Sequence, residues 1–263
     1  MPLTDYDREQ FQGKDIYRRG SGPAVIVIAE MPGITPKVVE FADRVADLGC
    51  TVVLPHLFGE PGRDPLANGQ LKGAAYTLSS IVPACISREF TVFARGQSSP
   101  VVDWLRQLSA AEHERCGGPG VGAVGMCFTG GFALAMAADD RLLAPVLSQP
   151  SLPFAALPGR ADGIDISAKD LETVKGRCQR GDLKVVGLRF KGDKLVPKKR
   201  FDFLRRELGD AFVAIELDDD SAAESPMPPH SVLTEHLIDE PGQPTREALD
   251  TVLELFRTRL LAA

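Results

Sequence analysis

Two hydrophobic periods alternate along the chain. Residues 24–29, Ala-Val-Ile-Val-Ile-Ala, form an unbroken apolar run. That is the pattern of a strand buried on both faces. Residues 35–48 then carry Val38, Val39, Phe41, Ala42, Val45, Ala46 and Leu48 at helical spacing, and Gly49 follows as a stop. The alternation continues: strand 51–54, helix 100–114 through Val101, Val102, Trp104, Leu105 and Leu108, strand 121–126, and a small-residue apolar segment over 132–138. Next come strand 144–147, helix 167–178 with Ser167 as N-cap and Asp170 three residues on, and strand 184–190. Helix 197–208 opens on proline, strand 211–217 follows, and a long amphipathic helix spans 245–261. Residues 15–19 are a candidate antiparallel edge. Residues 55–80 are rich in Gly and Pro, a long excursion of the kind that covers a site.

Regular strand–helix alternation implies a mostly parallel sheet with helices on both faces and right-handed crossovers. No linker composition divides the chain and no repeat appears, so the expectation is one α/β domain over residues 1–263. In such sheets ligands sit at the carboxyl ends of the strands.

Composition narrows the partners. A net charge of −6 gives no footprint for nucleic acid or an anionic membrane. No apolar run approaches the roughly 20 residues of a membrane span, and the first residues are polar and acidic rather than a signal core. The five cysteines, Cys50, Cys85, Cys116, Cys127 and Cys178, are scattered without a C-x-x-C pair. That points to reduced thiols in a cytoplasm rather than to a zinc site or a disulfide framework. The run Asp218-Asp219-Asp220 is expected to be a solvated loop. No metal or cofactor is called for.

The chemistry concentrates at Gly125-Met126-Cys127-Phe128-Thr129-Gly130-Gly131, between the strand 121–126 and a helix. A thiol at the apex of a strand–turn–helix is exposed at a strand end, and a helix N-terminus favours its thiolate. Hydrolases of the α/β type place G-x-S-x-G here, with acid and base following in chain order. Asp193, just past the strand 184–190, and His230, past the strand 211–217, supply that order. Taken alone, Cys127 is a packing cysteine, Asp193 a turn aspartate and His230 a loop histidine. Together they fill the three positions. His236, in Leu233-Thr234-Glu235-His236-Leu237, is a rival base on an expected helical segment.

At these residues the chain resembles the dienelactone hydrolase family of the α/β-hydrolase superfamily, over essentially its whole length. The marks are 125–131, Asp193-Lys194-Leu195-Val196-Pro197, His230-Ser231, and Ala29-Glu30-Met31-Pro32-Gly33. The resemblance implies a thiolate nucleophile on Cys127, His230 as its base, Asp193 orienting the imidazole and Glu30 hydrogen-bonding near the thiol. It also implies an oxyanion hole from the backbone N–H groups of Phe128 and Met31. The implied activity is a carboxylic ester or lactone hydrolase of the carboxymethylenebutenolidase type, acting through a thioester on a small molecule. From this placement, Glu30 is expected to compete with His230 for the thiol proton.

Two departures bear on substrate. Thr129 replaces the glycine two after the nucleophile; it either crowds the helix–strand approach or hydrogen-bonds locally. The arginine that such enzymes place shortly after the histidine, to bind a substrate carboxylate, is missing from Ser231-Val232-Leu233-Thr234. Arg88 falls where the other arginine is supplied, as a clamp or as a surface ion-pair partner. Alternatives to ester hydrolysis are a catalytically silent domain that binds a small ligand or partner, and a redox role for Cys127.

Overall fold

The computed structural model describes residues 2–67, 69, 73, 75–77, 79–80, 98–155 and 159–262. Eight strands make one sheet in the order β1-β2-β4-β3-β5-β6-β7-β8. They are β1 Asp7–Phe11, β2 Lys14–Arg19, β3 Ala24–Ile28, β4 Thr51–Pro55, β5 Val121–Met126, β6 Leu142–Ser148, β7 Val185–Phe190 and β8 Phe212–Leu217. β3 to β8 are parallel, while β2 runs antiparallel to β4 and to β1. This is a mostly parallel α/β sheet with helices on both faces, as the alternation of periods implies. The expected edge at 15–19 is β2. β1 carries mostly exposed polar side chains, so no apolar alternation announces it.

The apolar strands divide their side chains by parity. Ile26, Ile28 and Ala123 face one core with α2 Val101–Cys116, α3 Gly130–Met136, α4 Ala168–Gln179 and α5 Lys198–Leu208. Val25, Val27, Val124 and Met126 face a second core with α1 Pro36–Asp47 and α6 Pro244–Phe256. Burying both faces removes all five β3 side chains from water, at roughly 1.5–3 kcal/mol for each large one. Thr35 caps α1 by accepting from the Val38 N–H, and Ser167 caps α4 from Asp170. The C-terminal helix is α-helical to Phe256 and widens to a π-type turn over Arg257–Leu261. The segment expected to be helical around His236 is a succession of turns. Its hydroxyls bond to the site rather than leaving a helix to form. Among the described residues no helix is long and apolar enough to cross a membrane.

One buried carboxyl gives a stability prediction. Asp165 accepts a hydrogen bond from the Ser99 hydroxyl at 2.7 Å, and burial pushes its pKa up to about 6, the serine opposing. The native carboxyl therefore holds its proton at pH values where the unfolded chain has released it. Stability falls as pH rises from about 4 to about 6 and is level above, a loss of order 2–3 kcal/mol. Asp165→Asn is expected to flatten this dependence. Urea midpoints of the two proteins at pH 4.5 and pH 7 measure it; the same difference between them at both values contradicts the assignment.

Candidate active site

β5 ends at Met126 and the chain turns at once. Cys127 has φ +52°, a left-handed backbone on a non-glycine residue, which costs on the order of 1–2 kcal/mol. The surrounding packing enforces it. A Cβ at Gly125 would lie 2.2 Å from the Thr129 carbonyl oxygen, and one at Gly130 would lie 2.4 Å from the Pro150 Cα. Only glycine permits this close turn.

Thr129 resolves the first departure in favour of the hydrogen-bonding reading. It is fully buried. Its Oγ1 accepts from the Met126 N–H at 2.9 Å and faces the Ile28 carbonyl at 2.9 Å as donor. The hydroxyl thereby ties the nucleophile turn to the end of the adjacent strand β3.

The structure brings Asp193 and His230 together. His230 Nδ1 and Asp193 Oδ2 are 2.7 Å apart, with the Asp193 side chain only 4% exposed. Asp193 Oδ1 accepts from the Leu195 N–H at 2.9 Å, which fixes the carboxylate. The turn before it is held by Asp219, whose carboxylate accepts from the Gly192 N–H at 2.8 Å. Asp219 is exposed, as expected of 218–220, but it has this local duty.

Burial opposes a charge on His230, and it is the largest single influence. The Cys127 charge and the Asp193 hydrogen bond outweigh it, holding the imidazole well above its ordinary 6.5. The thiol is thus an electrostatic neighbour of the ring. Yet Nε2 is buried without a hydrogen-bond partner of good geometry. The Cys127 side chain still raises the ring through its charge and through a side-chain contact, of the kind that is commonly loose before a ligand arrives.

Behind Asp193 lies Arg200, whose charge that carboxylate feels. Its guanidinium is fully buried and donates to carbonyls only: Gly163 at 2.8 Å, Pro150 at 2.7 Å, Arg160 at 3.2 Å, Leu195 at 3.3 Å, and Pro153. Burial lowers its pKa to about 10, opposed by Asp193. Asp193 therefore meets His230 by a hydrogen bond and feels Arg200 through charge.

Glu30 is buried two residues past β3. Gln149 donates to its Oε2 at 3.0 Å, Ser231 to the same oxygen at 2.6 Å, and Thr234 to Oε1. No hydrogen bond joins Glu30 to Cys127 among the described residues. Its carboxylate grips the loop that carries His230, and two of the residues among which a substrate-binding arginine was sought, Ser231 and Thr234, supply the grips. Gln149 shares the work, since its Oε1 accepts from the Val232 N–H at 3.3 Å. Its own φ of +36° marks a second strained residue. The sequence reading missed Gln149. A polar residue between the apolar β6 and Pro150 was the available signal.

His236 is not placed as a base. Its Nδ1 accepts from the Ser231 N–H at 3.1 Å, which leaves Nε2 to donate to the Met227 carbonyl at 3.2 Å. The ring braces the His230 loop against Phe190, centroids 6.0 Å apart. Ser151, also missed, lies 3.4 Å from the thiol through its hydroxyl.

Met31 and Phe128 occupy matched positions. β3 and β5 pair Ile28 with Gly125, and each of the two residues lies three beyond its partner in that register. Part of the 55–80 excursion packs over this end. A Cβ on Gly59 would meet the Pro32 carbonyl oxygen at 1.9 Å, and Phe58 stacks edge-on to Phe128 at 6.1 Å. Arg88 lies outside the described residues.

A model of the dienelactone hydrolase family matches residues 15–153. Among solved structures, a dienelactone hydrolase-like promiscuous phosphotriesterase from metagenomic libraries is 18% identical, with a TM-score of 0.59 and 97% of each chain covered. A dienelactone hydrolase from Anabaena variabilis is 16% identical, with a TM-score of 0.53, covering 97% of this chain and 99% of that one. A thioesterase domain from the curacin biosynthetic pathway is 10% identical, with a TM-score of 0.53, covering 95% and 98%. No curated protein matches the chain significantly.

Proposed function

The chain belongs to the dienelactone hydrolase family, and on that footing we propose that it hydrolyses a small ester or lactone through a Cys127–His230–Asp193 triad. The observation that carries this reading is the 2.7 Å contact of His230 with Asp193, on a ring whose pKa the Cys127 charge helps to raise. The thiol proton passes to His230 Nε2, and Sγ attacks the acyl carbon. The oxyanion is met by the Phe128 and Met31 N–H groups. Collapse of the intermediate expels the alkoxide, which takes the proton from the imidazolium. Water, deprotonated by His230, then cleaves the thioester and restores the thiol. Asp193 holds the ring in the useful tautomer throughout.

Glu30 acts here by fixing the histidine loop through Ser231 and Thr234. The stretch Ser231 to Thr234 holds no arginine for a substrate carboxylate, and the Thr234 hydroxyl is committed to Glu30. A dienelactone-type substrate, the carboxymethylenebutenolidase activity, would therefore rely on Arg88 for its carboxylate, whereas neutral esters and lactones need no such group. The small molecule is the partner and the chemistry needs no cofactor. The cytoplasm suits its free thiol.

The test is turnover of p-nitrophenyl acetate and a panel of neutral and carboxylated lactones, with mass spectrometry of the Cys127 peptide after quenching. An acetylated Cys127 is expected; turnover of none of these substrates, with no acylation, overturns the reading. Because the Cys127 charge and Asp193 hold the imidazolium well above its ordinary value once His230 has taken the thiol proton, kcat/KM is expected to show an alkaline limb above 6.5, where that imidazolium is lost. His230→Gln should remove that limb together with most of the rate. A limb unchanged in His230→Gln would assign it to another group.

A further inference from the structure

We propose that Ser151 is a further catalytic residue, whose hydroxyl donates a hydrogen bond to the Cys127 sulfur and stabilises its thiolate form. This rests on Cys127 being the reactive thiol. The Ser151 side chain is buried and its Oγ stands 3.4 Å from Sγ. Its placement is built from the backbone outward. The Ser151 N–H donates to the Cys127 carbonyl at 2.9 Å, so the two residues are clasped main chain to main chain. Arg200 holds the preceding carbonyl, Pro150, at 2.7 Å, and Pro150 in turn packs on Gly130 of the nucleophile turn.

The sulfur has one further neighbour of consequence. Nε2 of His230 makes no hydrogen bond of good geometry, and Glu30 is occupied by Gln149, Ser231 and Thr234. Ser151 thus supplies a hydrogen-bonding hydroxyl to the sulfur, apart from the imidazole. When the thiol proton moves to Nε2, the sulfur gains a full negative charge and the imidazole a positive one. The Ser151 O–H then donates to an anion, a bond roughly twice as strong as a neutral one. Once Sγ is acylated the charge is gone and that bond weakens. Ser151 therefore favours the nucleophile over the thioester and over the protonated thiol. The charged groups bearing on this sulfur are His230, Asp193 behind it, Arg200 behind the Ser151 loop, and Glu30 across the histidine loop.

The experiment is the pH dependence of iodoacetamide alkylation, followed at the Cys127 peptide by mass spectrometry. This isolates Cys127 from the other cysteines and needs no turnover. Wild type, Ser151→Ala and Ser151→Thr are compared, with thermal melts of each. In Ser151→Ala the midpoint should move up by about one pH unit, a roughly ten-fold loss of rate on the acidic side, while Ser151→Thr stays near wild type. Superimposable wild-type and Ser151→Ala profiles overturn the proposal. If Ser151→Ala does not fold, Ser151→Thr decides: a folded Thr variant with a shifted profile overturns it, and an unshifted one upholds the role of the hydroxyl. A protein that hydrolyses no ester yet shows the Ser151 shift defeats the hydrolase reading and leaves this one standing; hydrolysis with no shift does the reverse.

Discussion

Cys127→Ala is expected to lower kcat/KM for an activated ester by roughly 10⁴- to 10⁶-fold, the scale on which removal of a nucleophile from a triad acts. What remains is the contribution of oxyanion donors and binding alone. Stability should barely change, because alanine inherits the same left-handed backbone at φ +52° and loses only one half-buried sulfur. Cys127→Gly separates the two quantities. Glycine accepts that backbone without penalty, so the variant should be equally inactive but more stable by about 1 kcal/mol. Initial rates and urea midpoints on the three proteins measure both. A Cys127→Ala protein with wild-type turnover would remove Cys127 from the mechanism, and a Gly variant less stable than Ala would mean that the turn is not strained.

Arg200→Met is expected to cost about 3–5 kcal/mol, the largest stability effect foreseen for a single side chain here. Methionine fills much of the volume and donates nothing. The carbonyls of Pro150, Pro153, Arg160, Gly163 and Leu195 would lose their shared donor inside the protein. For a chain of this length that corresponds to a fall in Tm of roughly 10 °C. Arg200→Lys keeps the charge but not the planar fork, and should fall between the two. Differential scanning calorimetry at neutral pH measures the series. A fall of less than about 1 kcal/mol for Arg200→Met would show that water replaces the guanidinium at these oxygens. The loss should extend to activity, because Arg200 joins the loop of Ser151 to that of Asp193.

The parts of this fold that were legible in the sequence are those whose period is set by burial. The doubly buried strands β3 and β5 are continuous apolar runs, β7 is apolar but for Arg189, and α1 keeps its apolar stripe between a threonine cap and Gly49. β1 was not legible because its side chains face water and its pairing is made by main-chain bonds. Cys127, Asp193 and His230 could be singled out because they follow strands in the chain order of nucleophile, acid and base. Gln149, Ser151 and Arg200 could not. Their roles depend on which carbonyl, hydroxyl or sulfur of a distant segment they meet, and no local pattern encodes that. Arg200 lies in an exposed-looking basic stretch, Lys198-Lys199-Arg200, in which only one of the three side chains turns inward. The helix expected around His236 failed for a related reason. Its Ser, Thr and His groups are drawn to Glu30 and to backbone donors, which competes with helical pairing.

The bond between Thr234 and Glu30 spans 204 residues of chain. Its consequence is temporal. During synthesis Cys127 emerges about a hundred residues before His230, so a nascent chain carries its thiol without the imidazole proposed to activate it. In refolding, collapse of the apolar strands precedes these long-range closures, because loop closure slows with the separation that must be bridged. Recovery of ester hydrolysis should therefore lag recovery of helical circular dichroism. Recovery of the proposed activity would then be a clock for the last step of assembly, the docking of the histidine loop onto the ends of β3 and β6.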